Sequence, residues 1–368
     1  MRNSKNSVVS VAFNHAVNYP TPYNFNYFNG YGVLLIVCLV SQILSGVFLA
    51  MHYVPTGDLA FMSVEHIMRD LNYGWFIRYT HANGSSMFFL CVYIHIARGL
   101  YYGSYVKPRH IVWITGNVIF ILMMATAFLG YVLPWGQMSF WAATVITNLF
   151  STIPLIGPSV VEWLWGGFSI GSPTLNRFFS LHFLLPFAIA ATIGIHLIFL
   201  HKNGSNNPLT VDNTTDSLPL HPYFIIKDVF GFQAFLILFA FFVMFSPNTL
   251  GHPDNYVYAD SLSTPLHIVP EWYFLPFYAI LRSIPDKLGG VVCMALSLIV
   301  LMLLPFMYNG RIKGSVFNPT YKLLFWLFAF NVVFLGWLGQ KSTDAPYSYY
   351  GMISTFFYFL YFILISLF

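Results

Sequence analysis

The stretch RYTHANGSSMFFLCVYIHIAR, residues 78–98, decides the fold, because it is largely apolar and carries His81 and His95 14 positions apart. Fourteen residues of α-helix rise about 21 Å and rotate the side chain by only about 40°. As a membrane helix, this stretch presents two imidazoles on nearly one face. A bilayer core is about 30 Å thick, so one imidazole lies in each half of it.

A second stretch, RFFSLHFLLPFAIAATIGIH at residues 177–196, repeats the same interval. If the two helices face each other, their four histidines form one pair at each depth of the membrane. Two facing imidazoles are the axial ligands of a six-coordinate haem, which has no open position and suits electron transfer. The sequence therefore predicts two b-type haems, one ligated by His81 and His182 and the other by His95 and His196.

Other functions of intramembrane histidines stay open at this point. A histidine in a membrane helix commonly hydrogen-bonds a neighbour or lines a polar path, so a transporter or channel with a proton relay is one alternative. A haem-bearing membrane anchor for a separate oxidoreductase is another. The repeated interval favours haem ligation over the relay, and an optical spectrum of the purified protein distinguishes the two.

Four glycines repeat the same interval on the first and third predicted helices. Gly32 and Gly46 are 14 positions apart, and so are Gly116 and Gly130. A flat porphyrin fits between helices only where a neighbouring residue lacks a side chain, so we expect these glycines to border the haems. Close helix packing through small residues is the alternative.

Three arginines lie near the histidines and are candidates for pairing with haem propionates. Arg78 and Arg98 are three residues from a histidine, and Arg177 is five residues before His182. The alternative is that these side chains extend to the membrane interface.

The composition predicts an all-α integral membrane protein. Of the 368 residues, 57% are hydrophobic and 8% are charged, whereas soluble domains carry about 25% charged residues. The formal charge of +4 is spread over loops and gives no basic tract for nucleic acid. The three cysteines have no spacing typical of a zinc or iron–sulfur site.

Apolar runs predict eight transmembrane helices, the first four forming a haem-binding bundle. We expect a matrix-side segment at 1–29, the four-helix di-haem bundle at 30–203 and a C-terminal four-helix region at 204–368. Within them, 61–71 is predicted to be a surface helix, and 134–171 to hold interfacial helices with Trp141, Trp163 and Trp165 at headgroup level. The predicted spans are 30–53, 75–103, 111–133, 173–201, 225–246, 288–308, 320–339 and 348–367.

The distribution of basic residues predicts the orientation. The connection 134–171 contains no lysine or arginine, although Arg282, Lys287 and Lys341 lie on the same side of the membrane. Positive charge favours the side from which insertion occurs, so both termini are predicted on the matrix (or cytoplasmic) side. The basic residues on that side are Arg2, Lys5, Lys107, Arg109, Lys202, Arg311 and Lys313.

Three further motifs carry a resemblance to a known family. They are GYVLPWGQMS at 130–139, PEWY at 270–273 and ILRSIP at 280–285. Together with the two histidine helices, they closely resemble the cytochrome b family of respiratory complex III in its mitochondrial form, over nearly the whole chain. The resemblance implies a subunit that oxidises ubiquinol with bifurcation of its electrons, carries one electron through the haems and reduces ubiquinone on the other side, coupled to proton translocation.

The resemblance also implies roles for individual residues. The pair His81 and His182 resembles the ligands of the low-potential haem, and His95 and His196 those of the high-potential haem. Residues similar to those of the quinol-oxidation site are Tyr131, Glu271 and Tyr273. Residues similar to those of the quinone-reduction site are His201, Ser205, Lys227 and Asp228.

The expected location and partners follow from the same resemblance. They are the mitochondrial inner membrane, a Rieske iron–sulfur protein, a cytochrome c1-type subunit, other complex III subunits, the lipid bilayer and a second copy of the complex. No nucleic acid is expected.

Glu271 and Ala142 stand out within these motifs. Glu271 is one of three glutamates and precedes an apolar run, so desolvation should raise its pKa and suit it to accept a proton. The alternative for Glu271 is a carboxylate that stabilises a helix N-terminus. The alternative for His201 and Asp228 is that they are polar caps at the protein surface. At Ala142 the family usually has glycine, in the wall of the quinol pocket. We therefore expect lower sensitivity to methoxyacrylate-type inhibitors, unless the alanine only favours its helix.

Overall fold

A computed structural model describes residues 14, 17–212, 215–310 and 313–367, and the described chain is mostly helical. Arg2, Lys5 and Arg311, which entered the prediction of orientation, lie outside the described residues. The α-helices are α1 (Tyr31–Ala50), α2 (Ala60–Arg69), α3 (Gly74–Tyr101), α4 (His110–Val132), α5 (Gln137–Thr147), α6 (Gly157–Trp165), α7 (Ser172–Asn203), α8 (Tyr223–Met244), α9 (Leu275–Ser283), α10 (Lys287–Met307), α11 (Pro319–Gly339) and α12 (Tyr347–Leu367).

Seven helices of the described chain are long and apolar enough to cross a membrane: α1, α4, α7, α8, α10, α11 and α12. The remaining predicted span, 75–103, corresponds to α3. This helix has 28 residues but is less apolar, because polar residues interrupt it. Arg78, Asn83 and Arg98 are among those residues. Many side chains on the spans are apolar and exposed, as expected for surfaces that face lipid.

The first four long helices pack as two pairs. The most extensive contacts join α4 to α7 and α1 to α3. A buried cluster that includes Cys38, Met87, Phe89 and Phe120 fills the space between α1, α3 and α4. This packing places the histidines of α3 and α7 inside the bundle, between the two pairs.

In the C-terminal region, α10 packs against α4 and α11 packs against α3. The short α9 contacts α10, α11 and α12. A buried cluster joins Leu100 and Trp113 of the bundle to Leu301 and Tyr321 of the C-terminal region. The Trp113 indole N–H donates a 2.6 Å hydrogen bond to the Leu301 carbonyl, which ties α4 to α10.

The short elements are partly those expected. The surface helix at 61–71 corresponds to α2, and the connection 134–171 holds α5 and α6. The sequence did not predict α9 or the two-stranded sheet of β1 (Pro20–Pro22) and β2 (Ser217–Pro219). These antiparallel strands pair Thr21 with Leu218 and hold the N-terminal segment beside the chain that leads into α8.

Candidate functional site

Two cavities lie inside the bundle, each bordered by one pair of histidines. The Glu271 cavity has a volume of about 250 Å³ and the Asp228 cavity about 330 Å³. Residues bordering the Glu271 cavity include Gly46, Arg78, His81, Gly130, Tyr131, His182, Glu271 and Tyr273. Residues bordering the Asp228 cavity include Gly32, His95, Arg98, Gly116, His196, His201, Ser205, Lys227 and Asp228.

The spacing of His81 and His182 fits a metal between them. Their ring centroids are 6.1 Å apart and their planes lie at 85°. A metal–imidazole bond is about 2 Å long, so two bonds in line place ring centroids roughly 6 Å apart. No cluster of three His, Cys, Asp or Glu side chains that could hold an ion is found among the described residues. The histidines therefore fit a group that needs two axial protein ligands, as a b-type haem does.

Three of the four histidines have a hydrogen-bond acceptor at Nδ1. His182 Nδ1 lies 2.8 Å from the Thr126 carbonyl, and His81 Nδ1 lies 3.0 Å from Ser45 Oγ. His196 Nδ1 lies 2.9 Å from Thr115 Oγ1. An Nδ1–H that donates to such an acceptor leaves the Nε2 lone pair available to a metal.

His95 differs from the other three histidines. Its Nδ1 lies 3.2 Å from a terminal nitrogen of Arg98, which can only donate. The Nε of Arg98 is buried and has no hydrogen-bond partner. A buried guanidinium N–H without a partner suits an anion such as a haem propionate.

Each of the four glycines faces a histidine across the helix interface. A Cβ at Gly130 would lie 2.3 Å from His182 Cε1, and one at Gly46 would lie 3.1 Å from His81 Cε1. At Gly116 the distance to His196 Cε1 is 3.3 Å, and at Gly32 the distance to His95 Cε1 is 3.6 Å. The missing side chains therefore make room first for the imidazole rings, most tightly at Gly130.

The arginines divide into two that border the cavities and one that does not. Arg78 borders the Glu271 cavity and Arg98 the Asp228 cavity. Arg177 does not line the cavity of His182; its guanidinium donates to the carbonyls of Trp163 and Leu164 at the end of α6. Five residues of helix turn a side chain by about 140°, which directs Arg177 away from the face of His182.

Glu271 has surroundings that suit proton transfer. Burial raises the pKa of Glu271 to about 7, although the Tyr131 hydroxyl and the Arg78 guanidinium both act to lower it. Its side chain makes no capping hydrogen bond to the 3₁₀ turn Trp272–Phe274 that follows it. The structure therefore disfavours a helix-capping role and leaves the carboxyl facing the cavity.

Contacts with α3 hold the Glu271 segment in place. The Trp272 indole N–H donates a 3.0 Å hydrogen bond to Ser86 Oγ, and the Tyr93 hydroxyl donates to the Tyr273 carbonyl. The Tyr273 ring stacks on Phe89 with centroids 4.0 Å apart. A change of aromatic packing on α3 would therefore shift Glu271.

The Asp228 cavity brings together all four residues expected at the second quinone site. They come from the end of α7, the following chain and the first turns of α8. The Ser205 carbonyl accepts a 3.1 Å hydrogen bond from Arg109, and Lys227 Nζ donates to the Phe25 carbonyl at 2.5 Å. The carboxyl of Asp228, the imidazole of His201, the amine of Lys227 and the hydroxyl of Ser205 therefore belong to residues that border one cavity.

Sequence reasoning missed the N-terminal wall of this cavity. The Tyr19 ring stacks on His201 with centroids 4.4 Å apart. A Cβ at Gly30 would lie 2.7 Å from Asp228 Oδ1, so a residue larger than glycine would displace that carboxylate. The prolines of β1 and β2 were the available signal, but single-sequence patterns do not show which segments pair.

The structure does not bring Ala142 to the Glu271 cavity. Ala142 is buried in α5 and is absent from the residues that border this cavity. The connection 134–171, which contains Ala142, is nevertheless held near the Glu271 cavity. Ser139 Oγ donates a 2.6 Å hydrogen bond to the carbonyl of Tyr131, which borders this cavity. The predicted effect on inhibitors stays a prediction.

Comparison with known families gives a match over most of the chain. Residues 16–204 match the family model "Cytochrome b/b6/petB", and residues 258–359 match "Cytochrome b(C-terminal)/b6/petD". The two matched ranges contain all four histidines as well as Glu271.

Individual relatives and a solved structure agree with these matches. A cytochrome b of Phytophthora megasperma is 60% identical over 354 residues, covering 96% of this chain and 92% of the relative. A cytochrome b of Chondrus crispus is 57% identical over 365 residues, covering 99% and 96%. A chain of a hyperthermophilic respiratory complex III superimposes with a TM-score of 0.92 at 33% identity, covering 98% of this chain and 95% of that chain.

Proposed function

Since this chain belongs to the cytochrome b family, and is the core redox subunit of respiratory complex III, we propose that it binds two b-type haems and works at two quinone sites. Ubiquinol is oxidised in the Glu271 cavity and ubiquinone is reduced in the Asp228 cavity. One electron of each quinol leaves to a partner protein and the other crosses the membrane, with protons released and taken up on opposite faces.

One observation carries this proposal: each cavity joins a histidine pair to a set of proton-exchanging side chains. His81 and His182 share a cavity with Glu271, and His196 shares the other with Asp228. Electron and proton transfer from one substrate require these groups within one space. A proton relay alone would not need two histidines facing each other at 6.1 Å.

The side chains supply the protonic half of the chemistry. With a pKa of about 7, Glu271 is a carboxylate for a large part of the time at neutral pH and can accept a proton from quinol. His201 and Asp228 can deliver protons to the two oxygens of a quinone. When bound, the haems supply a one-electron path between the cavities, with Arg78 and Arg98 available to pair with propionates.

The proposal includes α3 as the eighth span. Its 28 residues are long enough for a bilayer, and it is held between α1 and α8. Eight spans put both termini on one side, proposed to be the matrix side of the mitochondrial inner membrane. Residues 30–203 then form the haem bundle, and residues 204–368 contribute to both quinone sites.

Partners complete the reaction. The chain has three cysteines, in no pattern of iron–sulfur ligands, so the first electron is proposed to leave to a Rieske iron–sulfur protein. A cytochrome c1-type subunit, other complex III subunits and a second copy of the complex are the remaining proposed partners.

Two measurements on the purified complex test the proposal. The haem content should be two b-type haems for each copy of this chain, which a transporter would not contain. Quinol should drive reduction of cytochrome c by the same preparation, which a mere membrane anchor would not support. Absence of haem, or haem without quinol oxidation, would contradict the proposed function.

A further inference from the structure

Two hydroxyl groups stand in matching positions beside one histidine in each cavity. Ser45 on α1 immediately precedes Gly46, and Thr115 on α4 immediately precedes Gly116. In both pairs, the glycine faces the same histidine that the hydroxyl contacts. The histidines are His81 in the Glu271 cavity and His196 in the Asp228 cavity.

The hydrogen bonds of these hydroxyls fix their direction. Ser45 Oγ donates to the Ser41 carbonyl at 2.7 Å, so its hydrogen points along α1 and a lone pair faces the ring. Thr115 Oγ1 donates in the same way to the Ile111 carbonyl at 2.9 Å. A hydroxyl whose hydrogen is engaged accepts from its next neighbour. Each hydroxyl therefore accepts from the Nδ1–H of its histidine.

We propose that Ser45 and Thr115 are positioning residues that hold one axial histidine in each cavity in the tautomer and ring orientation needed for metal binding. The inference rests on the proposed haem ligation. The acceptor for the ring N–H raises the basicity of Nε2 and orients the imidazole toward the cavity. Stronger donation from Nε2 favours ferric over ferrous iron, so each hydroxyl lowers the midpoint potential of its own haem.

The remaining two histidines lack this arrangement. His182 uses the Thr126 carbonyl, a backbone group that no side-chain substitution removes. His95 faces Arg98 at 3.2 Å, which can only donate. Side chains therefore tune one ligand in each cavity, and these two ligands lie on different helices, α3 and α7.

A second acceptor near each ring limits the expected size of the effect. The carbonyls of Gln42 and Val112, three residues before the hydroxyls, also face the two rings. Removing a hydroxyl leaves this carbonyl as a weaker substitute. The histidine then stays a ligand, and the change appears in the redox potential.

The experiment compares Ser45→Ala and Thr115→Val with the conservative variants Ser45→Thr and Thr115→Ser in the assembled complex. Optical redox titration resolves the two haems. Each hydroxyl removal should raise the ratio of reduced to oxidised iron of its own haem about threefold, an upward shift of roughly 30 mV at 59 mV per decade. The conservative variants should restore the original potential, and the other haem should not shift.

Unchanged potentials with both haems bound would overturn the inference, and so would equal shifts of both haems or a shift that the conservative variants do not reverse. Loss of only the adjacent haem, restored by the conservative variant, would support it. Failure of the proposed function is a separate result, because the unmodified complex would then contain no haem pair to titrate.

Discussion

The two cavities are built from the same parts around the histidines but differ in their protonic groups. Both are bordered by one histidine from each 14-residue-spaced pair, by the glycines that face those histidines and by an arginine close to them. Beside its histidines, the Glu271 cavity has the Glu271 carboxyl together with Tyr131 at the end of α4 and Tyr273 in the chain that precedes α9. The Asp228 cavity has an imidazole, an ammonium group and a carboxyl at the other end.

This difference shows how one scaffold can serve opposite reactions. In the proposed function, Glu271 with its pKa of about 7 takes a proton from quinol and releases it again. In the same proposal, His201, Lys227 and Asp228 instead supply protons to a quinone that gains electrons. The repeated histidine and glycine interval builds the part that the two cavities share, and residues at the two ends of the bundle build the part that differs.

Replacing His182 with leucine should produce the largest difference between the cavities. The change removes one ligand of the Glu271 cavity, so the haem of that cavity should be lost and quinol oxidation abolished. The haem held by His95 and His196 should remain. Redox titration checks this. Loss of both haems from a folded complex, or of neither, would contradict the pairing of His81 with His182 and of His95 with His196.

Glu271→Gln keeps the size of the side chain and removes its titration. Quinol oxidation should slow by about 10²-fold, the usual contribution of a general base. In the unmodified complex the rate should rise as pH increases through about 7, because the carboxyl then becomes the proton-accepting carboxylate. The variant should lose this rise.

Asp228→Asn is the matched control for that change, since it alters a carboxyl of the other cavity. It should slow quinone reduction and leave the pH dependence of quinol oxidation intact. The assays are steady-state quinol oxidation and haem reduction through the second site at several pH values. An unchanged rate and pH profile in Glu271→Gln would leave this residue only a structural role.

The glycines give a smaller and graded test. In Gly130→Ala the new Cβ meets the His182 ring at 2.3 Å, whereas in Gly32→Ala the distance to His95 is an ordinary 3.6 Å. Overpacking typically costs about 1–3 kcal/mol, so the first variant should bind its haem weakly and the second almost normally. Haem content and absorption spectra of both variants measure this, and equal losses would contradict the ring-clearance explanation.

Ala142→Gly should have the smallest effect. The helix α5 should lose a little stability, since glycine is about 1 kcal/mol poorer in helices than alanine. If the methyl group hinders methoxyacrylate-type inhibitors, the variant should gain about one decade in sensitivity, with quinol oxidation unchanged. Inhibitor titration decides this, and an unchanged titration would mean that Ala142 acts only in the packing of α5.

Much of the bundle could be predicted from sequence because helix periodicity is local. The interval between His81 and His95 predicted two side chains set apart along one face of α3, and the two residues border separate cavities. The same reasoning predicted a short helix at the position of α2, which has 10 residues and is not among the helices long enough to span a membrane.

Features that depend on distant segments could not be predicted. The stacking of Tyr19 on His201 requires the pairing of β1 with β2, which are nearly 200 residues apart. Arg177 was expected at a haem from its distance along the chain, but helix rotation turns it toward the end of α6. The residues of the short α9 overlap the motif ILRSIP at 280–285, so the sequence showed no separate helix pattern there.

Potentiometric titration of the purified complex, followed at the haem absorption bands, tests the central claim most directly. The claim is that four histidines of this chain hold two haems in two separate cavities. The expected result is two one-electron components of equal amplitude with different midpoint potentials, together two haems per chain. A single component amounting to one haem per chain, or no haem signal, would contradict it.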